Sequence, residues 1–122
     1  MCGIVGFVNY KKNVEQYKNV LNNMTQKLSN RGPDEQGFYI NKNVALGHKR
    51  LIVLDPEGGK QPMIEKYSFG EYIIVYNGQI YNTAELKETL LQNKFSFHGH
   101  SDTEVLLKSY IYYGTDVVNH LN

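Results

Sequence analysis

Between residues 14 and 28 the apolar side chains Val14, Tyr17, Val20, Leu21, Met24 and Leu28 recur at the spacing of an amphipathic helix, and Gly32-Pro33 stops the pattern. On either side the period changes to that of extended chain. Met1 to Tyr10 reads as a strand in which Ile4, Val5, Phe7 and Val8 favour extended backbone and Gly3 and Gly6 permit close approach. Gly37 to Ile40 and Val44 to Leu54 read as two strands of a hairpin joined by Asn41-Lys42-Asn43, residues that tolerate a tight turn. An amphipathic helix set among half-buried strands must lay its apolar stripe on a sheet, so the pattern predicts an α+β domain with helices covering a sheet face.

The second half continues in the same mixed style. Pro56 to Pro62, with Gly58-Gly59-Lys60 inside it, reads as a loop, and Phe69 to Tyr76 is the strongest strand, ending at Asn77-Gly78. Asn82 with Glu85 and Ser101 with Glu104 read as capping boxes that open helices running to about Asn93 and about Tyr113. Phe95 to Phe97 reads as a short strand between them. A length of 122 residues suggests one compact unit. The ending His120-Leu121-Asn122 has no clear stop signal and follows the apolar pair Val117-Val118, so a fragment of a longer protein is expected.

Thirteen basic and twelve acidic residues give a formal charge of +1, which leaves no electrostatic footprint for nucleic acid or an anionic membrane. Small-molecule or protein partners are expected instead. The apolar opening Met1 to Val8 has no basic residues before it and meets Lys11 and Lys12 too soon for a signal peptide. No apolar run approaches the roughly 18 residues of a membrane span, so the expected location is cytoplasmic. One cysteine can make neither an intrachain disulfide nor a thiolate zinc cluster. The pair His98 and His100 has no carboxylate or thiolate beside it in sequence, so both read as loop residues and no metal is expected.

Cys2 is the residue that points to chemistry. An isolated cysteine is more often a small buried hydrophobe than a nucleophile. Removal of Met1, however, would place a thiol and a free α-amine on the same residue. With reference pKa values near 8.5 and 8, only about 3% of such a thiol is ionised at pH 7 unless the amine takes its proton, directly or through water.

The neighbours of Cys2 decide between these readings. Met1-Cys2-Gly3-Ile4-Val5-Gly6, Arg31-Gly32-Pro33-Asp34, His48-Lys49-Arg50-Leu51, Asp55, Gln61-Pro62, Asn77-Gly78-Gln79-Ile80-Tyr81-Asn82 and Ser101-Asp102-Thr103-Glu104 occur in this order. Together they resemble a class II glutamine amidotransferase domain over nearly the whole chain. The Arg-Gly-Pro-Asp block and the Arg-Leu-x-x-x-Asp…Gln-Pro pattern are similar to those of asparagine synthetases.

The resemblance implies an N-terminal nucleophile hydrolase fold, with two antiparallel sheets between helical layers, incomplete in these 122 residues and with the second sheet needing residues beyond them. It implies L-glutamine as substrate and Cys2 as nucleophile. The Asn77 side-chain amide and the Gly78 N–H would form the oxyanion hole, although Asn-Gly after a strand is also the commonest hairpin-turn signal. Arg50 would grip the substrate carboxylate with its planar fork, and Asp102 would take the substrate ammonium while also favouring a helix N-terminus. Leu51, Ile52, Val53 and Leu54 match the stretch whose backbone lines the pocket. Gln79 stands where asparagine synthetases usually show glutamate, which leaves position 79 a backbone role. Arg31 to Gly37 offers no direct chemistry and reads as a turn that shapes the pocket.

The resemblance further implies that ammonia released here is used in a synthetase domain of the same full-length chain, with ATP and Mg²⁺ bound there and none here, and it allows a homodimer. Neither Cys2-Gly3-Ile4-Val5-Gly6 nor Glu57-Gly58-Gly59-Lys60 has the spacing of a phosphate-cradling loop. Two other functions fit the same motifs: a related amidotransferase acting on another carboxylate, and a non-catalytic regulatory relative. Retention of Cys2, Arg50, Asn77, Gly78 and Asp102 together argues against the latter.

Overall fold

The structure is a computed structural model that describes residues 1–53 and 55–122. Contacts divide the chain into two compact units. The first comprises residues 1–53, 60–62 and 75–77, and the second residues 55–59, 63–74 and 78–122. The division arises because the strands of the first fifty residues satisfy their hydrogen bonds among themselves.

In the first unit β1 (Gly3–Val8), β2 (Glu35–Ile40) and β3 (Val44–Arg50) form an antiparallel sheet in the order β1-β3-β2. The predicted turn forms for a local reason: Asn41 Oδ1 accepts from the N–H groups of Asn43 and Val44, each at 3.1 Å, an Asx turn that reverses the chain. A 3₁₀ turn (Glu15–Tyr17) leads into α1 (Lys18–Gln26), within the predicted helix. Leu21 of α1 and Val14 are buried with Ala45 of β3, and Val5, Phe7 and Ile40 pack against that cluster. Burying a side chain such as Leu21 contributes about 1.5–3 kcal/mol. Thr25, fully buried, donates its hydroxyl to Leu21 O at 2.8 Å, so that hydroxyl is not stranded under the helix.

In the second unit β4 (Met63–Tyr67) and β5 (Gly70–Ile74) make an antiparallel hairpin. Helices α2 (Thr83–Gln92) and α3 (Asp102–Tyr113) follow, and a 3₁₀ segment (Gly114–Asn119) comes last. Helices α2 and α3 pack together and α3 also packs on β5, burying Leu86, Leu90, Val105 and Leu107. The predicted α+β class is what forms, with two antiparallel sheets and three α-helices among the described residues.

Several local expectations are corrected. A second sheet forms inside the 122 residues, because Met63–Tyr67 pairs with β5 although its own sequence carries little strand signal. The predicted long strand to Leu54 ends at Arg50, and the predicted β5 ends at Ile74. Phe95 to Phe97 is not a strand: the Ser96 carbonyl accepts instead from Lys108 Nζ. Asn82 does not cap α2 with its side chain, which donates to His120 O at 2.8 Å and accepts from Asn122 N at 2.9 Å. Ser101 does cap α3, accepting from Glu104 N at 3.3 Å, but the Glu104 carboxylate turns away from the box.

Candidate functional site

Cys2 immediately precedes β1, whose register pairs Gly3 with Lys49 and Ile4 with His48. Extending that register by one residue sets Cys2 across from Arg50, while β2 places Glu35 opposite Arg50 from the other side. Side chains alternate between faces of a strand, so Cys2 and Ile4 share a face with His48 and Arg50, the face opposite Ala45 and the α1 core. The half-buried Cys2 Sγ meets the main chain just past β3, accepting from Leu51 N at 3.4 Å and donating to Leu51 O at 3.6 Å.

The loop that offered no chemistry from sequence turns out to fix this corner. Arg31 Nε donates to Cys2 O at 3.2 Å, Asp34 N donates to Arg50 O at 3.0 Å, and Asp34 Oδ2 accepts from Ile52 N at 2.8 Å. Gly32 is required by close approach: a Cβ there would lie 2.5 Å from Arg50 N and closer still to the Lys49 carbonyl. Arg31-Gly32-Pro33-Asp34 thus clamps the residue before β1 to the residues that end β3.

Arg50 is buried, 4% exposed, and its Nη1 lies 2.9 Å from Glu35 Oε2. Sequence reading assigned this guanidinium to a substrate carboxylate and missed Glu35, whose signal was its place opposite Arg50 in the hairpin register. Glu35, Gln36, His48, Arg50, Lys60 and Gln61 line a cleft of about 260 Å³. His48 is 1% exposed and neither ring nitrogen has a partner of hydrogen-bond geometry. Burial pushes its pKa below the ordinary value, assisted by the Arg50 charge, and the nearby Tyr76 backbone and Glu35 offset this only in part. His48 is therefore a neutral, desolvated floor to the cleft at pH 7.

Asn77 belongs to the first unit and is half-buried. The hairpin-turn reading of Asn77-Gly78 does not hold: the β4–β5 turn is at Ser68-Phe69, and the chain beyond Gly78 goes on to α2. Gln61 Oε1 accepts from Tyr76 N at 2.6 Å, next to Asn77. Val53 is 78% exposed, and Leu54 lies outside the described residues.

Gly78, Gln79 and Asp102 belong to the second unit, the first two exposed and Asp102 half-buried as the first residue of α3. The start of α3 is held by Asp55 and Glu104. Asp55 sits at a positive φ of 46°, an uncommon conformation for a non-glycine residue. Its carboxylate accepts from Gly58 N at 2.8 Å and His100 N at 2.6 Å, contacts that offset the strain. Glu104, 3% exposed, accepts from His98 N at 2.8 Å, Gly99 N at 2.9 Å and Lys108 Nζ at 2.6 Å. Burial alone would raise its pKa, but the hydrogen bonds from Lys108, His98 and Gly99 outweigh that and hold it below the ordinary value.

Folding also brings carboxylates to His98 that were not adjacent in sequence: Glu65, His98 and Glu104 each offer a ligand atom within 4.8 Å of the others. The Lys108 ammonium is already among them, 3.2 Å from Glu65 and 2.6 Å from Glu104, and supplies the positive charge. The cluster was invisible in sequence because Glu65 lies on the unpredicted strand β4.

The first unit therefore gathers Cys2, Leu51, Ile52, Arg50 and the unforeseen Glu35, together with Asn77, while Gly78, Gln79 and Asp102 stand in the second. Among the described residues no helix is long and apolar enough to cross a membrane. A family model described as a glutamine amidotransferase domain matches residues 1–122. The chain is 48% identical over 122 residues to asparagine synthetase [glutamine-hydrolyzing] 3 of Bacillus subtilis, covering 100% of this chain and 20% of that protein. It is 37% identical over 123 residues to asparagine synthetase [glutamine-hydrolyzing] 1 of the same organism, covering 99% of this chain and 19% of that protein. It is 39% identical over 141 residues to a putative asparagine synthetase [glutamine-hydrolyzing] 2 of Methanocaldococcus jannaschii, covering 100% of this chain and 26% of that protein. The chain thus spans about a fifth to a quarter of the length of these relatives. A cysteine at the head of a sheet with an arginine across from it, in a chain matched from end to end, leaves one family: this chain belongs to the glutamine amidotransferase domain family.

Proposed function

We propose that this chain is the glutaminase part of a glutamine-hydrolysing asparagine synthetase, with Cys2 as nucleophile. The observation that carries the reading is the register that sets Cys2 across from Arg50 on one sheet face, with Leu51 N–H on the sulfur. Such a face presents a nucleophile and a carboxylate-binding fork at a separation set by neighbouring strands, roughly 5 Å between backbones.

Removal of Met1 would free the Cys2 α-amine as general base. The thiolate attacks the carboxamide carbon of L-glutamine, and the developing oxyanion is met by the Asn77 amide and the Gly78 N–H. Collapse breaks the C–N bond, the proton held by the amine leaves with ammonia, and a γ-glutamyl thioester remains on Cys2. Water then cleaves the C–S bond, giving glutamate and restoring the thiol. Each oxyanion donor is worth about 10²–10³ in rate. Arg50 binds the substrate carboxylate, with residues 51–53 contributing backbone, and the family resemblance assigns the substrate ammonium to Asp102 and a backbone role to Gln79. The ammonia converts aspartate to asparagine in a synthetase domain of the same chain, where ATP and Mg²⁺ act. The names of the relatives support asparagine as the product.

An electrophilic glutamine analogue should add once, to Cys2, as read by mass spectrometry of digested protein, and glutamine should protect the site. Labelling that survives unchanged in Cys2→Ala would refute the assignment.

A further inference from the structure

We propose that Gln61 is a positioning residue that holds Asn77 in place as an oxyanion donor, an inference that rests on the glutaminase reading above. The segment 75–77 follows β5, which ends at Ile74. There the Gln61 side chain holds the backbone: its Oε1 accepts from Tyr76 N at 2.6 Å, one residue ahead of Asn77. Adjacent Cα atoms are about 3.8 Å apart, so an anchor on Tyr76 N leaves Asn77 little freedom to drift.

Gln61 is itself anchored. Its main chain lies directly on β2, where Gly37 provides the room; a Cβ at position 37 would come within 2.9 Å of Gln61 C and of Pro62 Cδ, and would overlap the Gln61 carbonyl oxygen. Gly37 pairs with His48 in the sheet. The sequence β2, Gln61, Tyr76, Asn77 is therefore a continuous rigid connection inside one compact unit, from the sheet that carries Arg50 to the proposed oxyanion donor. Gln61 also lines the Arg50 cleft. Its part is to aim Asn77 and not to touch the reacting atoms. A misplacement of about 1 Å can cost about 10²-fold in rate, with substrate binding affected much less.

The connection needs an acceptor at the end of a side chain of this length, which glutamate supplies and methionine does not. Steady-state glutaminase kinetics of the full-length protein should show Gln61→Met lowering kcat about 10- to 100-fold with KM changed less than about 3-fold. Gln61→Glu should recover most of the lost kcat, whatever its added charge does to KM beside Arg50. A Gln61→Met enzyme within about twofold of wild-type kcat overturns the proposal, and so does a Gln61→Glu enzyme as impaired as Gln61→Met, which would reveal a packing role only. Wild-type protein without glutaminase activity, inert at Cys2 as well, would overturn the underlying reading and this proposal with it.

Discussion

Replacing Lys108 with methionine tests the network that holds the start of α3. Lys108 is 2% exposed, and its ammonium lies 2.6 Å from Glu104 and 3.2 Å from Glu65, with the Phe97 ring centroid 4.9 Å away. Methionine keeps the stem but removes the charge. Glu104, 3% exposed, would then keep the His98 and Gly99 N–H groups and the His98 ring Nδ1 at 3.4 Å, but no lysine charge. Deleting one partner of a buried pair typically costs about 3–5 kcal/mol, because the remaining charge stays desolvated. At about 1.4 kcal/mol per factor of ten, this is about 10²- to 4 × 10³-fold faster amide exchange across α3 if that helix opens as a unit. Hydrogen exchange read by mass spectrometry on α3 peptides measures it in the full protein. The double variant Lys108→Met/Glu104→Gln should be less destabilised than the sum of the two single variants. The sign of the pH dependence also follows. Since the folded Glu104 carboxyl titrates below its ordinary value of 4.5, its stabilisation is complete above that pH and is lost as pH falls through the folded value. In Lys108→Met the folded value rises because burial is less opposed, so less stability should be lost as pH falls. A single variant that accelerates exchange less than about fivefold, about 1 kcal/mol, would show that the pair contributes nothing net and refute the reasoning.

Arg50→Lys removes a planar fork that cannot be replaced by a point charge and should raise the glutamine KM about 10- to 150-fold, the equivalent of a charge-assisted contact worth about 1.5–3 kcal/mol. An unchanged KM in steady-state kinetics would take Arg50 out of the substrate site. Gly32→Ala should destabilise the protein by about 1–3 kcal/mol, because the new methyl group meets the backbone of Lys49 and Arg50, which cannot swing aside. A thermal midpoint and a Cys2 labelling rate both equal to wild type would contradict the clamp described for Arg31-Gly32-Pro33-Asp34.

The elements that were legible in the sequence are those whose causes are local. The stripe of α1, the Asn41 turn between β2 and β3, and the Ser101 cap of α3 each depend on residues within a few positions of one another, so periodicity and turn chemistry suffice. Motif order alone names Cys2, Arg50 and Asn77 as candidate site residues. What the sequence could not show were partners brought from a distance. β4 is a strand because β5 pairs with it, and Phe95 to Phe97 is not one because Lys108 takes its carbonyl. Asn82 serves residues 120–122 and not its own helix. Glu35 claims Arg50 across a hairpin, and Gln61 reaches Tyr76 over 15 residues. In each case the deciding partner comes from a distant part of the chain, so local propensity and turn chemistry carry no signal of it, and only folding brings the two hydrogen-bonding groups within reach of each other.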